Sequence, residues 1–223
     1  MSEPPKILKI STFASKSVIH GFGTRFFSLP ELRDSLPSLN IITLTQIHSS
    51  KVLLNSAGEG DGVISRDPGT ILVIKTADCL PVLIKDDEER IVAALHAGWK
   101  GLCKGIIFKG IAKIKNLGFN KKNLRVALGP SIGPCCYSVG KEVFECFKEN
   151  GLPFVKRGEN LDLPSTAIEH LTSSGVNIKK ISVLPLCTKC TPELFYSHRR
   201  GEKGRMISFI GLLKPETEVK IKL

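Results

Sequence analysis

Three short apolar runs follow one another in the middle of the chain: ILVIKT (71–76), VLIK (82–85) and IVAAL (91–95). Each is shorter than a typical helix and rich in β-branched residues, so each reads as a buried strand. The last two flank a charged DDEE segment and read as a hairpin. Further strands are expected in IITLTQIH (41–48), LRVALGP (124–130), KKISVLPL (179–186) and GRMISFIGL (204–212), with KVLL (51–54) as a short partner strand. Residues 102–117 read as a helix, with Ile107, Ile111 and Ile114 on one face and Gly118 as its stop. KEVFECFKEN (141–150) is a second helix, and STAIEHLTSSG (165–175) a third, with Ser165 as its cap. LPELRDSLPSLN (29–40) reads as a loop. Strands outnumber helices and come in hairpins as well as in alternation with helices, which points to an α+β fold with mixed sheets.

A length of 223 residues with 42% hydrophobic content suits one large domain or two small ones. No apolar run approaches the ~20 residues of a membrane span. The start, MSEPPKILKI, lacks the apolar core of a signal peptide. Seven cysteines, an odd number spread over a chain of ordinary size, do not form a secreted disulfide framework, so a reducing cytoplasm is the expected location. The formal net charge of +11 favours anionic partners. The lysines are nevertheless scattered singly or in pairs, and aromatics are only 6%, so the surface reads as solvated and no nucleic-acid partner is expected. Neither G-x-G-x-x-G after the first strand nor a P-loop is present, which weakens dinucleotide and nucleotide-triphosphate readings.

Three residues share one local setting. His48 ends IITLTQIH, Cys79 follows ILVIKTAD, and His96 ends the IVAAL run before the glycine-bracketed AGWKG turn. Functional groups held by a sheet where strands give way to loops can face a ligand. Two imidazoles and a thiolate suit zinc, with one coordination position left open. The long spacings match no short zinc pattern, so they do not by themselves show that the three converge. Two alternatives stay open: a buried structural cysteine with two hydrogen-bonded histidines, and a Cys79 nucleophile with His96 as its base.

Cys187 and Cys190 form CTKC, either half a zinc site or a redox pair. No second C-x-x-C exists, and the adjacent Cys135 and Cys136 are an unfavourable pair for one metal, so CTKC reads as ordinary structure. FYSHRRGEKGR (195–205) concentrates Arg199, Arg200 and Arg205, whose forks suit phosphate or carboxylate. Arg25, in HGFGTRFF, is a lone arginine among apolar residues, an anion ligand or a member of a core ion pair.

The stretches HGFGTR, TLTQIHSSKV, DGVIS, TADCLPVLI, VAALHAGWKG, ALGPSIGPCCYSVG, CT at 187–188 and FYSHRRGEKGRMISFI together resemble the YfiH/laccase-domain family, in family order from about residue 20 to residue 212. These bacterial proteins were once described as multicopper polyphenol oxidases and later as purine nucleoside phosphorylases with adenosine deaminase activity. The resemblance implies a single domain over residues 1–223, a layered sandwich of mixed β-sheets flanked by helices, similar to the fold of some cysteine hydrolases. It implies one zinc on His48, Cys79 and His96, with copper able to occupy the same site in vitro. Arg25, Arg199, Arg200 and His48 are implied around the substrate, and a homodimer is a further expectation. The implied partners are a purine nucleoside and inorganic phosphate. The implied reactions are phosphorolysis of adenosine, inosine and 5′-methylthioadenosine, and hydrolytic deamination of adenosine. Asp78, beside Cys79, is our own candidate for a proton shuttle or for a residue supporting the ligands, with a turn role as the alternative. The chain departs from the family pattern in FFSLPELRD (26–34) and at Ser138, where a glutamate is common. Five histidines without a His-x-His argue against a true multicopper laccase. The other readings are a low-activity copper polyphenol oxidase, a Cys–His amidohydrolase acting on a cell-wall precursor, and a basic nucleic-acid-binding protein.

Overall fold

The computed structural model describes residues 3–217. The terminal residues 1–2 and 218–223 of the expected 1–223 domain lie outside the described residues. The strands are β1 (Ile7–Leu8), β2 (Val18–Gly23), β3 (Asn40–Thr45), β4 (Val52–Leu54), β5 (Gly58–Glu59), β6 (Gly62–Ser65) and β7 (Thr70–Thr76). They continue with β8 (Leu80–Asp86), β9 (Val92–Ala97), β10 (Leu124–Leu128), β11 (Lys156–Arg157), β12 (Asn160–Leu161), β13 (Ile181–Val183) and β14 (Met206–Leu212). The α-helices are α1 (Leu29–Ser35), α2 (Trp99–Cys103), α3 (Ile106–Asn116), α4 (Lys141–Glu149) and α5 (Leu163–Ser173).

Two six-stranded mixed sheets carry the fold, in the orders β1-β2-β14-β7-β3-β5 and β13-β10-β8-β9-β6-β4. Their inner faces meet through Leu72, Ile74 and Ile210 from the first sheet and Leu83, Ala94 and Ala127 from the second. The alternate residues of the same strands face outward. Val82, Ile84 and Leu95 pack on Ile107, Ile111 and Ile114 of α3, while Ile71, Val73 and Phe209 pack beneath Leu32 of α1. Helices therefore cover the outer face of each sheet, and the central strands are buried on both faces. That double burial is why β7 and β9 read as near-continuous apolar runs and not as alternating ones. The α+β class with mixed sheets and flanking helices is the one expected from the sequence.

Several local expectations are corrected. Residues 29–35 form a helix, because Ser28 and Glu31 make a capping box in which each side chain takes the other's backbone N–H. The single helix expected over 102–117 is two helices, broken at Gly105, which sits in the left-handed region at φ 75°. The third helix begins at Leu163, capped by Asp162 and not by Ser165, whose N–H donates to the Asp162 carboxylate at 3.0 Å. KVLL does supply the expected short strand, β4, which pairs in parallel with β6. In KKISVLPL only Ile181–Val183 is strand. VIHGFG (18–23), unread as a strand, is β2 and lies next to β14. The predicted hairpin is present, with Leu80 opposite Ala97 and Pro81 opposite His96. One disulfide, Cys103–Cys146, joins α2 to α4, and nothing in the cysteine spacing singles out that pair.

Candidate metal and substrate site

The chain crosses from the first sheet to the second between β7 and β8, and Cys79 lies in that crossing. Register brings its partners to it. The parallel pairing of β3 with β7 sets Thr43 beside Val73, so residues 46–48 leave the sheet beside residues 76–79. The Gln46 amide extends the pairing by donating to Lys75 O at 2.8 Å and accepting from Lys75 N–H at 2.7 Å. The β8–β9 register carries His96 alongside. The ligand atoms of His48, Cys79 and His96 all lie within 4.8 Å of one another, and the two imidazoles meet edge to face at 5.0 Å between centroids. His96 is buried, Cys79 is partly exposed and His48 is open to solvent.

Asp61, to which no role falls from sequence reasoning, holds this group together. Its carboxylate accepts from the backbone N–H of Ile47, His48 and Ser49 at 3.3, 3.0 and 2.6 Å and from the Ser49 hydroxyl at 2.7 Å. It also lies 2.8 Å from His96 Nδ1, while the His96 N–H donates to Asp61 O at 2.7 Å. Asp61 thereby shapes the turn that presents His48 and fixes the His96 ring, leaving Nε2 as the nitrogen turned to Cys79. Burial opposes ionisation of Asp61, but the hydrogen bonds from His96 and Ser49 outweigh it and hold the carboxyl at about 2. Burial likewise pushes the Cys79 thiol up, and hydrogen bonds with His48 and His96 reverse this and bring it to about 6. For His96 burial favours the neutral ring, yet Asp61 and Cys79 raise it to about 9. The sequence did contain a signal for Asp61: an acidic residue in a Gly-Asp-Gly turn just before a strand.

Backbone strain also collects here. Among the non-glycine residues described, His48 (φ 56°) and Asp78 (φ 83°) are two of only four with positive φ. Such conformations cost about 1–3 kcal/mol each and persist where the surroundings over-determine them. Asp78 is held by Thr188 Oγ1 at 2.7 Å, Ser197 Oγ at 3.0 Å and the Arg199 N–H at 2.8 Å, all donating to its carboxylate. The carboxylate is thus committed to tying the 187–199 segment against the Cys79 turn. Gly98 completes the floor: a Cβ there would stand 2.7 Å from Cys79 Sγ, so the AGWKG turn needs glycine to admit the sulfur.

Above this floor opens a cavity of about 690 Å³. Lys75, Lys100, Arg199 and Arg205 bring four cationic side chains to its wall, and Trp99 and Tyr137 bring two aromatic ones. Arg199 stacks over the Tyr137 ring at 5.0 Å and donates to Ser138 O at 2.9 Å. Arg25 and Arg200 are not brought to the cavity wall. Arg25 pairs with Glu202 at 2.6 Å, donates to Pro192 O at 2.6 Å and covers the Tyr196 ring. Arg200 pairs with the other Glu202 oxygen at 2.6 Å and donates to the carbonyls of Thr188, Lys189 and Phe195. Both forks are engaged by Glu202 and by backbone carbonyls, so they brace the segment that carries Arg199. Of the sequence candidates, His48, Cys79, His96, Asp78 and Arg199 line one cavity, joined by Lys75, Lys100 and Arg205.

A thiol and two imidazoles at a sheet-to-sheet crossing, in a basic cavity of an α+β sandwich, define a protein able to hold a metal by nitrogen and sulfur. The family model described as multi-copper polyphenol oxidoreductase laccase matches residues 31–213, and the chain belongs to that family. It is 36% identical over 192 residues to the purine nucleoside phosphorylase YfiH of Escherichia coli, covering 80% of this chain and 76% of that protein. It is 33% identical over 194 residues to a purine nucleoside phosphorylase of Clostridium acetobutylicum, covering 82% and 81%. The fold is similar to the crystal structure of the Bacillus licheniformis hypothetical protein YfiH, with a TM-score of 0.79 at 27% identity over 87% of this chain and 92% of that one. It is also similar to that of YlmD from Geobacillus stearothermophilus, with a TM-score of 0.84 at 24% identity over 96% and 98%. No helix among the described residues is long and apolar enough to cross a membrane.

Proposed function

We propose that the cavity cleaves purine nucleosides, namely adenosine, inosine and 5′-methylthioadenosine, with inorganic phosphate, and that it also deaminates adenosine hydrolytically. The observation that carries this reading is the placement of His48, Cys79 and His96 under a cavity ringed by four cations and two aromatic rings. The names of the curated relatives support it. The donor set fits zinc: two imidazole nitrogens and one thiolate, the second already favoured as an anion, with a carboxylate behind His96. When bound, zinc supplies Lewis acidity and lowers the pKa of a bound water towards about 7.

The residues of the chain do the rest. Phosphate carries its charge into the field of Lys75, Lys100, Arg199 and Arg205, and Arg199, fixed by Ser138 O and Tyr137, is the best oriented of them. In phosphorolysis a phosphate oxygen bonds to C1′ of the ribose while the C1′–N9 bond breaks and its electron pair leaves with the base. The base then takes a proton. Burial raises the Tyr137 hydroxyl, so it stays protonated and is available as a hydrogen-bond donor to the substrate. Trp99 offers a face for the purine. In deamination water adds at C6 and ammonia leaves, giving inosine. Asp78 acts as a positioning residue, holding Arg199 through its backbone.

The test is to supply each nucleoside with and without phosphate and to follow free base, ribose 1-phosphate and inosine. Base release that requires phosphate and falls in Arg199→Ala is expected. Absence of both base and inosine with metal-loaded protein rejects the proposal. The adjacency of Cys79 and His96 equally suits a thiol hydrolase. A chelator separates the two, since it stops the zinc-dependent reactions and leaves a Cys–His hydrolase active.

A further inference from the structure

We propose that Cys135, Cys136, Cys187 and Cys190 form a second metal centre, a four-thiolate site suited to zinc, separate from His48, Cys79 and His96. Their four sulfurs all lie within 4.8 Å of one another. Cys190 Sγ stands 3.7 Å from Cys135 Sγ and 3.3 Å from Cys136 Sγ. Four sulfurs bound tetrahedrally at about 2.3 Å from one zinc stand about 3.8 Å apart, so small side-chain adjustments convert this cluster into a coordination shell.

The fold explains how cysteines 51 residues apart meet. Strands β10 and β13 run parallel, and beyond their ends the two chains stay side by side through a bridge between Ser131 and Cys187. Ser131 N–H donates to Leu186 O at 3.3 Å, and Thr188 N–H to Ser131 O at 3.0 Å. After Ser131 the chain closes a tight turn, in which the N–H groups of Cys136 and Tyr137 both donate to Gly133 O, at 3.0 and 3.1 Å. That turn lets two adjacent cysteines both reach Cys190, which their sequence adjacency argued against. On the other strand CTKC forms its own turn, closed by Thr191 Oγ1 donating to Cys187 O at 3.0 Å and clamped by Arg200 on Lys189 O.

Chemistry favours a metal over idle thiols. Thiols are weak hydrogen-bonding partners, and the backbone donors to this cluster converge on one sulfur: Gly133 N–H lies 3.2 Å from Cys187 Sγ, and the Cys190 N–H faces the same atom. Cys135 and Cys190 are exposed, so an ion has a way in and unprotected thiols would be open to oxidation. Soft thiolates select zinc, copper(I) or iron, and a closed set of four is the mark of a structural zinc site. Lys189 lies inside the CTKC turn, so the loop that carries two of the sulfurs also carries a cation. The centre would pin the turn carrying Tyr137 to the segment carrying Arg199, adding to the Ser131–Cys187 bridge, the Arg199–Ser138 hydrogen bond and the Arg199–Tyr137 stack. The site stands whatever reaction the cavity performs.

The test is metal content of the whole chain, purified without oxygen and loaded with zinc ions. About two zinc per chain are expected in the wild type, about one in Cys79→Ala, and about one in Cys135→Ser/Cys190→Ser. Cobalt(II) loaded into Cys79→Ala should give the strong sulfur-to-cobalt charge-transfer and d–d bands of a tetrahedral thiolate site. In zinc-loaded wild type these four cysteines should resist alkylation and react after chelation, a readout that needs no variant. Cys79→Ala without metal, or intact masses showing disulfides among the four in oxygen-free material, overturns the proposal. Nucleoside assays on the same samples report on the cavity alone, so the two ideas fail separately.

Discussion

Among the described residues the chain gathers side chains able to bind a metal in two places, and it holds them differently. At His48, Cys79 and His96 the backbone comes from sheet edges and from a crossing between sheets, and one buried carboxylate, Asp61, receives hydrogen bonds from three successive N–H groups and a ligand. At Cys135, Cys136, Cys187 and Cys190 the backbone comes from two loops beyond the sheet, and the Gly133 N–H donates to the Cys187 sulfur. The first group mixes nitrogen and sulfur and faces a cavity, and a metal held there as proposed would keep one coordination position free. The second is all sulfur and has no position to spare. A rigid frame around an open site suits chemistry on a bound substrate, whereas a closed site on loops suits fastening. The difference lies less in the cysteines than in what their loops are attached to.

The most severe break of that contrast is Cys79→Ala. It should abolish nucleoside cleavage and remove metal from the open site, while the fold and the four-cysteine centre persist, as followed by metal analysis and circular dichroism. Acid is the next largest perturbation. Burial, then Lys9 and Lys85, hold His20 at about 4, below its ordinary value near 6.5. The folded state therefore resists a proton that the unfolded chain accepts. Stability is full above about pH 6.5 and falls by about 2–3 kcal/mol as pH drops towards 4. Denaturant titrations should show that slope, and His20→Asn should flatten it. Metal loss from both centres on acidification would remain in that variant, because ligands must be deprotonated.

Asp61→Asn should weaken metal retention or activity at the open site about 10–100-fold and leave the four-cysteine centre unchanged. Competition against a chromophoric chelator measures it, and equal weakening at both sites would show that the two are not independent. Gly98→Ala pushes a methyl onto Cys79 Sγ and should cost about 1–3 kcal/mol, visible as looser metal binding with little change in secondary structure. The smallest effect is expected from Arg25→Lys, which keeps the charge near Glu202 but loses the fork and the stack on Tyr196, and should lower stability by about 1 kcal/mol without changing phosphate dependence. A large rise in the phosphate requirement of Arg25→Lys would return that residue to the substrate.

Much of the strand content was legible because β7, β8 and β9 are buried on both faces and so announce themselves as apolar runs. β2 was not, because VIHGFG mixes glycine and histidine, and its burial comes from β14 and from the layer beneath rather than from its own composition. The capping box of α1 was readable but lay inside a segment that its two prolines made loop-like. Arg25 could be read as an anion ligand or an ion-pair member and Arg200 as an anion ligand, because sequence shows a charge and not its partner, and Glu202 lies between them only in three dimensions.

By itself the sequence determined the fold class, the doubly buried strands and the residue types suited to a metal, since periodicity, turn residues and ligand chemistry are local properties. Convergence belonged to the tertiary structure. His48, Cys79 and His96 meet because of the β3–β7 and β8–β9 registers, Asp61 is bound to them through the β6–β9 pairing, and the four cysteines meet because two parallel strands end together. Register is fixed by how whole sheets bury their faces against each other, a property distributed over the core and carried by no single motif.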